Sequence, residues 1–549
     1  MLAAVLCVAA LGHLVLGESP QVITSYGTMK GQVLKSRDGR EFSSFTRIPY
    51  AKPPVGERRF MISEKADNWT GILDATQPIP SCYQTLFPFG QGAAGQEDCL
   101  YLNIFTPNVT GRLPVIFNIH GGAFKQGSAG GLDYANFFMD EDVVFVSTNY
   151  RLGTMGFLSL EDDVIPGNMG LKDQALALEW VYQEISAFGG DPNLITVIGG
   201  SAGAVSAHLI CEVPRTNGLL KGCISQSGDG WAHWAILEPG SARKMALKMA
   251  KKVGCNETGD LLRCLQSKPI ELIGDVNLLQ NNSQALTLVS PVLEPANAPG
   301  AILTSWPTKV NHHHPRILGL VQDEGMVYTL FYEFHLVSDE EKENFINGFN
   351  QTIISGLHLE KRTRDFLRIR ERFFTKGVDP LLAIRNFVTE YMWVYPALKS
   401  LSTHTGPTYF YKFNYTQGPP FPFGHPPDHP GVPHGAEGAY FFPGNTSTGW
   451  PKPEDIKLSK MLIKMWVNFA RNQNPSSPEM VQWPQFQGQN FLDIQDSGVT
   501  VGNYTQYQEI LDFWQSIFPD QPSSSSTIQS SLLFIATLCI ITTLKGLFA

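Results

Sequence analysis

The chain has 549 residues of ordinary globular composition, enough for one large domain or two to three small ones, and no self-similar period marks a repeat array. Its formal net charge is −9 and it has no long basic run, which argues against a nucleic-acid partner; the acidity itself says nothing about substrate.

In chain order, Met1 to Gly17 comes first. It is dominated by the apolar run Leu2 to Leu16 and predicts a secretory signal cut near Gly17, although its n-region lacks Lys or Arg. Val22 to Leu34 alternates loosely and predicts an early antiparallel strand pair. The proline-containing stretch Phe45 to Gly56 cannot be helical and is expected to turn over the surface. Strands are expected at Glu97 to Pro107, Leu113 to Ile119 and Val143 to Asn149, with a helix over Asp173 to Ile185. Further strands are predicted at Leu194 to Ile198, Gly222 to Gln226, Arg316 to Val321 and Thr408 to Phe413. Helices are predicted near Arg243 to Val253, Asp339 to Phe349, Pro380 to Tyr395, Leu458 to Arg471 and Tyr507 to Phe518. Gln417 to His434 reads as an ordered loop or a lid edge. Alternating buried strands and helices imply an α/β fold with a mostly parallel sheet, and no linker divides residues 18 to 522.

Beyond this domain, residues 523–549 change character. A polar spacer with Ser523 to Ser526 in a row precedes the apolar run Leu532 to Leu544, the pattern of a GPI-attachment signal; the rival is a short membrane span. Asn68, Asn108, Asn256, Asn281, Asn350, Asn414, Asn445 and Asn503 each head an Asn-x-Ser/Thr sequon, which agrees with an extracellular, glycosylated protein, secreted or held at the cell surface. Apart from Cys7 and Cys539, the cysteines form an even set. Close spacing favours Cys82–Cys99 and Cys255–Cys264, whereas Cys211 and Cys223 either pair or stay as buried thiols. No Cys/His spacing suggests a zinc site, and His312 to His314, ahead of a proline, read as a surface loop.

The chemistry begins at Gly199-Gly200-Ser201-Ala202-Gly203. This Gly-x-Ser-x-Gly follows an apolar strand and opens a helix, so the serine hydroxyl is expected to project from a strained turn. Glu97 to Pro107, Asn149 to Gly153, Gly167 to Gln174, Phe188 to Gly203 and the block Trp466 to Ala470 with Asn474-Pro475 and Trp483-Pro484 resemble the type-B carboxylesterase/cholinesterase family, from about Val22 to Phe518. The resemblance implies an α/β-hydrolase fold and a serine esterase that needs no metal or organic cofactor.

On that resemblance the nucleophile is Ser201 and the acid is Glu324 of Asp323-Glu324-Gly325; the residues alone do not choose between Glu324 and Asp323. The base is His434 of Gly431-Val432-Pro433-His434-Gly435-Ala436-Glu437, while His425 and His429 have no motif around them. The oxyanion donors are Gly122 and Ala123 of His120-Gly121-Gly122-Ala123, with Ala202. Gly200 stands where the family usually has glutamate, and the Cys82–Cys99 loop has Phe87 and Phe89 but no tryptophan. Both departures point away from choline esters and toward neutral ones. Trp234 resembles an acyl-pocket aromatic and reads equally well as a core residue. The implied partners are a small-molecule ester and, through the tail, the outer membrane leaflet; a homodimer is one open oligomeric state. The alternative is a catalytically weak adhesion or binding protein on the same fold, with Gly200 as the feature that favours it.

Overall fold

The buried apolar runs pair into one eleven-stranded mixed sheet. In chain order its strands are β1 (Gln32–Lys35), β2 (Glu41–Pro49), β3 (Tyr101–Thr106), β4 (Leu113–Ile119), β5 (Val144–Thr148), β6 (Gly190–Gly200), β7 (Gly222–Gln226), β8 (Arg316–Val321), β9 (Thr408–Asn414), β10 (Asn490–Gln495) and β11 (Gly498–Asn503). Across the sheet they lie β1-β2-β3-β5-β4-β6-β7-β8-β9-β10-β11. Neighbours from β5 to β10 run parallel, and both flanks are antiparallel. The computed structural model describes residues 19–85, 92–257, 259–274, 289–307, 313–333, 338–356, 362–419, 430–444 and 451–518, with 331–333 and 350–356 described by backbone alone. The expected signal, Phe87, Phe89, Asn281, His312, His425, His429, Asn445, the side chain of Asn350 and the tail beyond 518 lie outside the described residues.

Strand periodicity divides the interior. Val115, Phe117, Ile119, Val144, Val146, Ile195 and Val197 face one core; Ile116, Phe145, Ile198, Ile224 and Ile317 face the other. The helices Met169–Glu184 and Ala202–Glu212 cover the first core with Leu171, Leu178, Val205 and Leu209. The helix Pro453–Asn472 covers the second with Leu462, Trp466 and Phe469. Both faces are closed, so the central strands are continuously apolar rather than alternating.

Several expectations need adjustment. Phe45 to Pro49 is part of β2, with Phe45 and Ile48 fully buried, and not a surface turn. Its prolines do exclude a helix, but Pro49 is at the strand's end, where no further ladder bond is needed. The strand pair expected over Val22 to Leu34 divides: Gln21–Thr24 pairs with Gly27–Lys30, and Gln32–Lys35 joins the main sheet as its edge. β3 starts at Tyr101, because the residues before it are engaged elsewhere: Glu97 with Arg59 and Cys99 with Cys82. The helix expected from Asp173 begins at Met169; its first turns are buried all round, so they show no amphipathic stripe. The helix expected over Pro380 to Tyr395 is Pro380–Val388, a π-helical stretch Thr389–Val394 and then Tyr395–Thr403. β10 and β11 were not anticipated; β11 is a half-exposed edge strand with two glycines.

All three cysteine pairs, Cys82–Cys99, Cys211–Cys223 and Cys255–Cys264, are bonded. Asn68, Asn108, Asn256 and Asn503 are exposed, while Asn414 is half-buried and donates through Nδ2 to Asp493 Oδ1 at 2.6 Å. Among the described residues, no helix is long and apolar enough to cross a membrane and no group of His, Cys, Asp or Glu could hold a metal ion. The blocks between the strands are structural ties. Arg151 grips Asp173 through Nε and Nη2, both at 2.7 Å, and Asn149 Nδ2 donates to the carbonyls of Pro80 and Cys99.

The passage from β6 to the helix Ala202–Glu212 is a tight corner. Ser201 has φ 58° and ψ −125°, a conformation that costs a non-glycine residue energy. A Cβ on Gly199 would lie 2.1 Å from the Gly203 carbonyl oxygen, and one on Gly203 would lie 2.2 Å from that of Ile119. Gly200 differs: a Cβ there meets nothing nearer than the Gln226 carbonyl oxygen at 3.9 Å. Gly203→Ala should therefore destabilise the protein by roughly 1–3 kcal/mol through overpacking. Gly200→Ala should leave the denaturant midpoint nearly unchanged. Urea titration of the two variants distinguishes them, and equal midpoints would contradict the corner as described.

Candidate active site

Three separate strand ends deliver three side chains to one place. Ser201 follows β6, Glu324 follows β8, and His434 is on the loop after β9. His434 Nε2 lies 2.8 Å from Ser201 Oγ, and His434 Nδ1 lies 2.5 Å from Glu324 Oε2. A carboxylate can only accept, so Nδ1 carries the hydrogen and Nε2 is left with its lone pair toward the serine hydroxyl. Glu324 is wholly buried, and its other oxygen accepts the Val321 N–H at 3.0 Å. Ser201 and His434 keep partial exposure. Burial disfavours the charged imidazole of His434, but the charge and hydrogen bond of Glu324 outweigh it, and its pKa rises above 6.5.

Asp323, the alternative acid, is engaged in another task. Its backbone N–H donates to the Val432 carbonyl at 3.0 Å, and its Oδ2 accepts the Val432 N–H at 2.9 Å. Arg385 Nη1 lies 3.6 Å from its Oδ1. Asp323 thus ties the histidine loop to the end of β8, and burial pushes its carboxyl pKa up in spite of these partners. Gly431 belongs to the same tie: a Cβ there would fall 2.6 Å from Asp323 Oδ2.

The loop after β4 approaches the corner from the other side. A Cβ on Gly121 would lie 2.6 Å from the Gly200 carbonyl oxygen. Gly122 and Ala123 have φ of 113° and 55°, and the Gly122 carbonyl accepts from the N–H groups of Lys125 and Gln126. Among the described residues, the N–H groups of Gly122, Ala123 and Ala202 have no acceptor. His120 braces this loop. Its ring stacks on Tyr150 at 4.4 Å, and Nδ1 lies 2.8 Å from the Gly121 carbonyl, to which it must donate. Burial lowers its pKa to about 4, so it stays neutral.

Two groups beside Ser201 and His434 carry no role from sequence: Glu437, at the end of the histidine motif, and Ser227. Glu437 is buried, and Ser227 Oγ donates to its Oε1 at 3.2 Å. Its Oε2 has no partner among the described residues. Burial and then the charge of Glu324 raise its pKa to about 7. A third group, Trp393, gave no signal because it belongs to a stretch that reads as plain helix. The π-helical turn brings its ring 5.4 Å from that of His434, and its Nε1 donates to the Ser227 carbonyl at 3.2 Å. Trp234 is buried and packs 5.8 Å from Trp393, so it is one ring removed from the histidine.

Residues 18–514 match the sequence model of the Carboxylesterase family. Esterase FE4 of Myzus persicae is 32% identical over 497 residues, covering 85% of this chain and 86% of that protein. Acetylcholinesterase of Bungarus fasciatus is 31% identical over 556 residues, covering 93% and 88% respectively. The crystal structure of juvenile hormone esterase from Manduca sexta, with OTFP covalently attached, superposes with a TM-score of 0.80 at 27% identity, covering 91% of this chain and 100% of that one. The architecture is therefore the α/β-hydrolase fold, and the chain belongs to the carboxylesterase family.

Proposed function

We propose that this carboxylic ester hydrolase works through an acyl-enzyme on Ser201, with His434 as general base and Glu324 as the acid that orients it. The observation that supports this most directly is the unbroken hydrogen-bonded chain Ser201 Oγ–His434–Glu324. His434 Nε2 takes the Ser201 proton as Oγ attacks the ester carbonyl. The developing oxyanion receives hydrogen bonds from the N–H groups of Gly122, Ala123 and Ala202, which other described groups do not occupy. Glu324 stabilises the imidazolium, which then protonates the leaving alcohol. Water repeats the sequence on the acyl-enzyme and releases the acid.

Position 200 places no carboxylate beside Ser201, so substrates with a quaternary ammonium lose an obvious counter-charge, and esters without a cation are favoured. An adhesion-only reading gains nothing from this arrangement, since all three members of the chain are within hydrogen-bonding reach. The three bonded cysteine pairs and the exposed sequons at Asn68, Asn108, Asn256 and Asn503 support passage through the oxidising secretory route.

Four outcomes test these statements. Ser201→Ala should lower turnover of a short-acyl neutral aryl ester by at least about 10³-fold; equal rates in the variant and the native protein would remove Ser201 from the mechanism. His434 must be neutral to accept the proton, so activity should fall as pH drops through its raised pKa, with the acid limb of kcat/KM above 6.5. Glu437 contributes to that rise, so Glu437→Gln should move the limb to lower pH, and an unmoved limb would count against the coupling. Digestion with an N-glycosidase should lower the apparent mass of the protein made in a secretory host; an unchanged mass would refute glycosylation.

A further inference from the structure

The carboxylates around the site all have partners: Glu324 has His434, Asp323 has Arg385 and the Val432 backbone, and Glu437 has Ser227. One buried cation on the adjoining loop has no ion-pair partner among the described residues. Lys125 is three residues beyond Gly122 in the loop of candidate oxyanion donors. Its backbone N–H returns to the Gly122 carbonyl at 3.1 Å, and Ala123 and Phe124 between them have φ of 55° and 59°. Lys125 is therefore held within a single turn of those donors. The turn itself is anchored: Phe124 is buried 5.1 Å from Phe157, and its carbonyl accepts the Gly153 N–H at 2.8 Å.

Lys125 is 9% exposed. The other lysines and arginines that are buried as whole residues among the described ones each have a carboxylate, whereas the half-buried Lys248 has an enclosed Nζ with no hydrogen-bond partner among them. Lys172 has Glu294 at 2.5 Å, Arg151 has Asp173 at 2.7 Å, Arg385 has Asp323 at 3.6 Å and Arg316 has Asp229 at 3.8 Å. Lys125 has no ion-pair partner among the described residues. Burial alone acts on its ammonium and lowers its pKa to about 8, with no carboxylate opposing the shift. A desolvated cation without a counter-ion is costly, and an anion that enters beside it recovers part of that cost. The same loop touches Gly200, where a missing side chain leaves open, uncharged space next to Ser201.

We infer that Lys125 is a specificity residue that recognises an anionic group on the substrate, so that the preferred esters carry a second, ionised carboxylate on the acyl or the alcohol limb. This inference rests on the reading of Ser201 as nucleophile and goes beyond it: the site selects for negative charge and does not merely tolerate uncharged esters. Lys125 supplies a charge-assisted hydrogen bond, and Gly200 supplies room without a repelling carboxylate.

Two matched ester pairs test it on the full chain. The alcohol-limb pair is 4-acetoxybenzoate against 4-acetoxybenzamide, and the acyl-limb pair is monophenyl adipate against phenyl hexanoate. In at least one pair the anion should have the higher kcat/KM, through a lower KM. Lys125→Met should reduce that anion-to-neutral ratio by about tenfold, and Lys125→Arg should retain most of it. Dissociation constants of the same ligands with Ser201→Ala, with and without Lys125→Met, read the charge preference in the absence of turnover. If Ser201→Ala still hydrolyses the esters, the nucleophile reading fails, and the ratio in Lys125→Met still judges the lysine. No anion preference in either pair, or a ratio that Lys125→Met leaves unchanged, overturns the inference.

Discussion

The site depends on one constraint of space: strand β6 must end, and the helix Ala202–Glu212 must begin, within a single residue. Gly199, Gly203 and the carbonyl of Ile119 approach so closely that no side chain fits at either glycine. Ser201 is the residue in the strained conformation at the corner, and the strain is tolerated because the sheet on one side and the helix on the other are packed in the interior. The same corner brings Gly121 against Gly200 and Gly228 against the Ser201 carbonyl, so it also positions the loops on either side. His434 then needs only its own loop fixed. Two hydrogen bonds do that from the neighbouring strand end: the Asp323 N–H donates to the Val432 carbonyl, and the Val432 N–H donates to the Asp323 carboxylate.

Electrostatics at the site follow from burial. Glu324 is fully enclosed and spends one oxygen on a backbone N–H and the other on His434, so its charge acts on the imidazole with little screening. Glu437 is close enough to be raised by Glu324 and adds to the rise at His434. His120, buried without a carboxylate, stays neutral and serves the loop through stacking and a carbonyl contact. Gly200 adds no charge beside Ser201, and Lys125 is on the adjoining loop.

Much of this was legible in the sequence where local pattern and burial agree. β4, β7 and β8 coincide with their apolar runs, because strands covered on both faces need no alternation. The prolines of β2 suggest a surface turn, and β11 gives no signal because an edge strand with glycines has little β-propensity. Ser201, Glu324 and His434 were placed by motif resemblance; their hydrogen bonds, and the separate task of Asp323, are properties of the fold and not of spacing. Trp393 reached the histidine only through a π-helical turn that no sequence periodicity announces. Lys125 went unnoticed because a single lysine in a loop reads as solvated. Its meaning comes from burial with no ion-pair partner among the described residues, which only the fold reveals.

The central claim is that Ser201 is a nucleophile activated by His434 and Glu324. Peptide mapping by mass spectrometry after exposure to a fluorophosphonate tests it most directly, because such a reagent needs an activated serine and makes a bond that persists. The account predicts one phosphonyl group per chain, on the peptide containing Ser201, with labelling strongly slowed in His434→Ala. An unlabelled Ser201 peptide, or labelling at the same rate without His434, would contradict it.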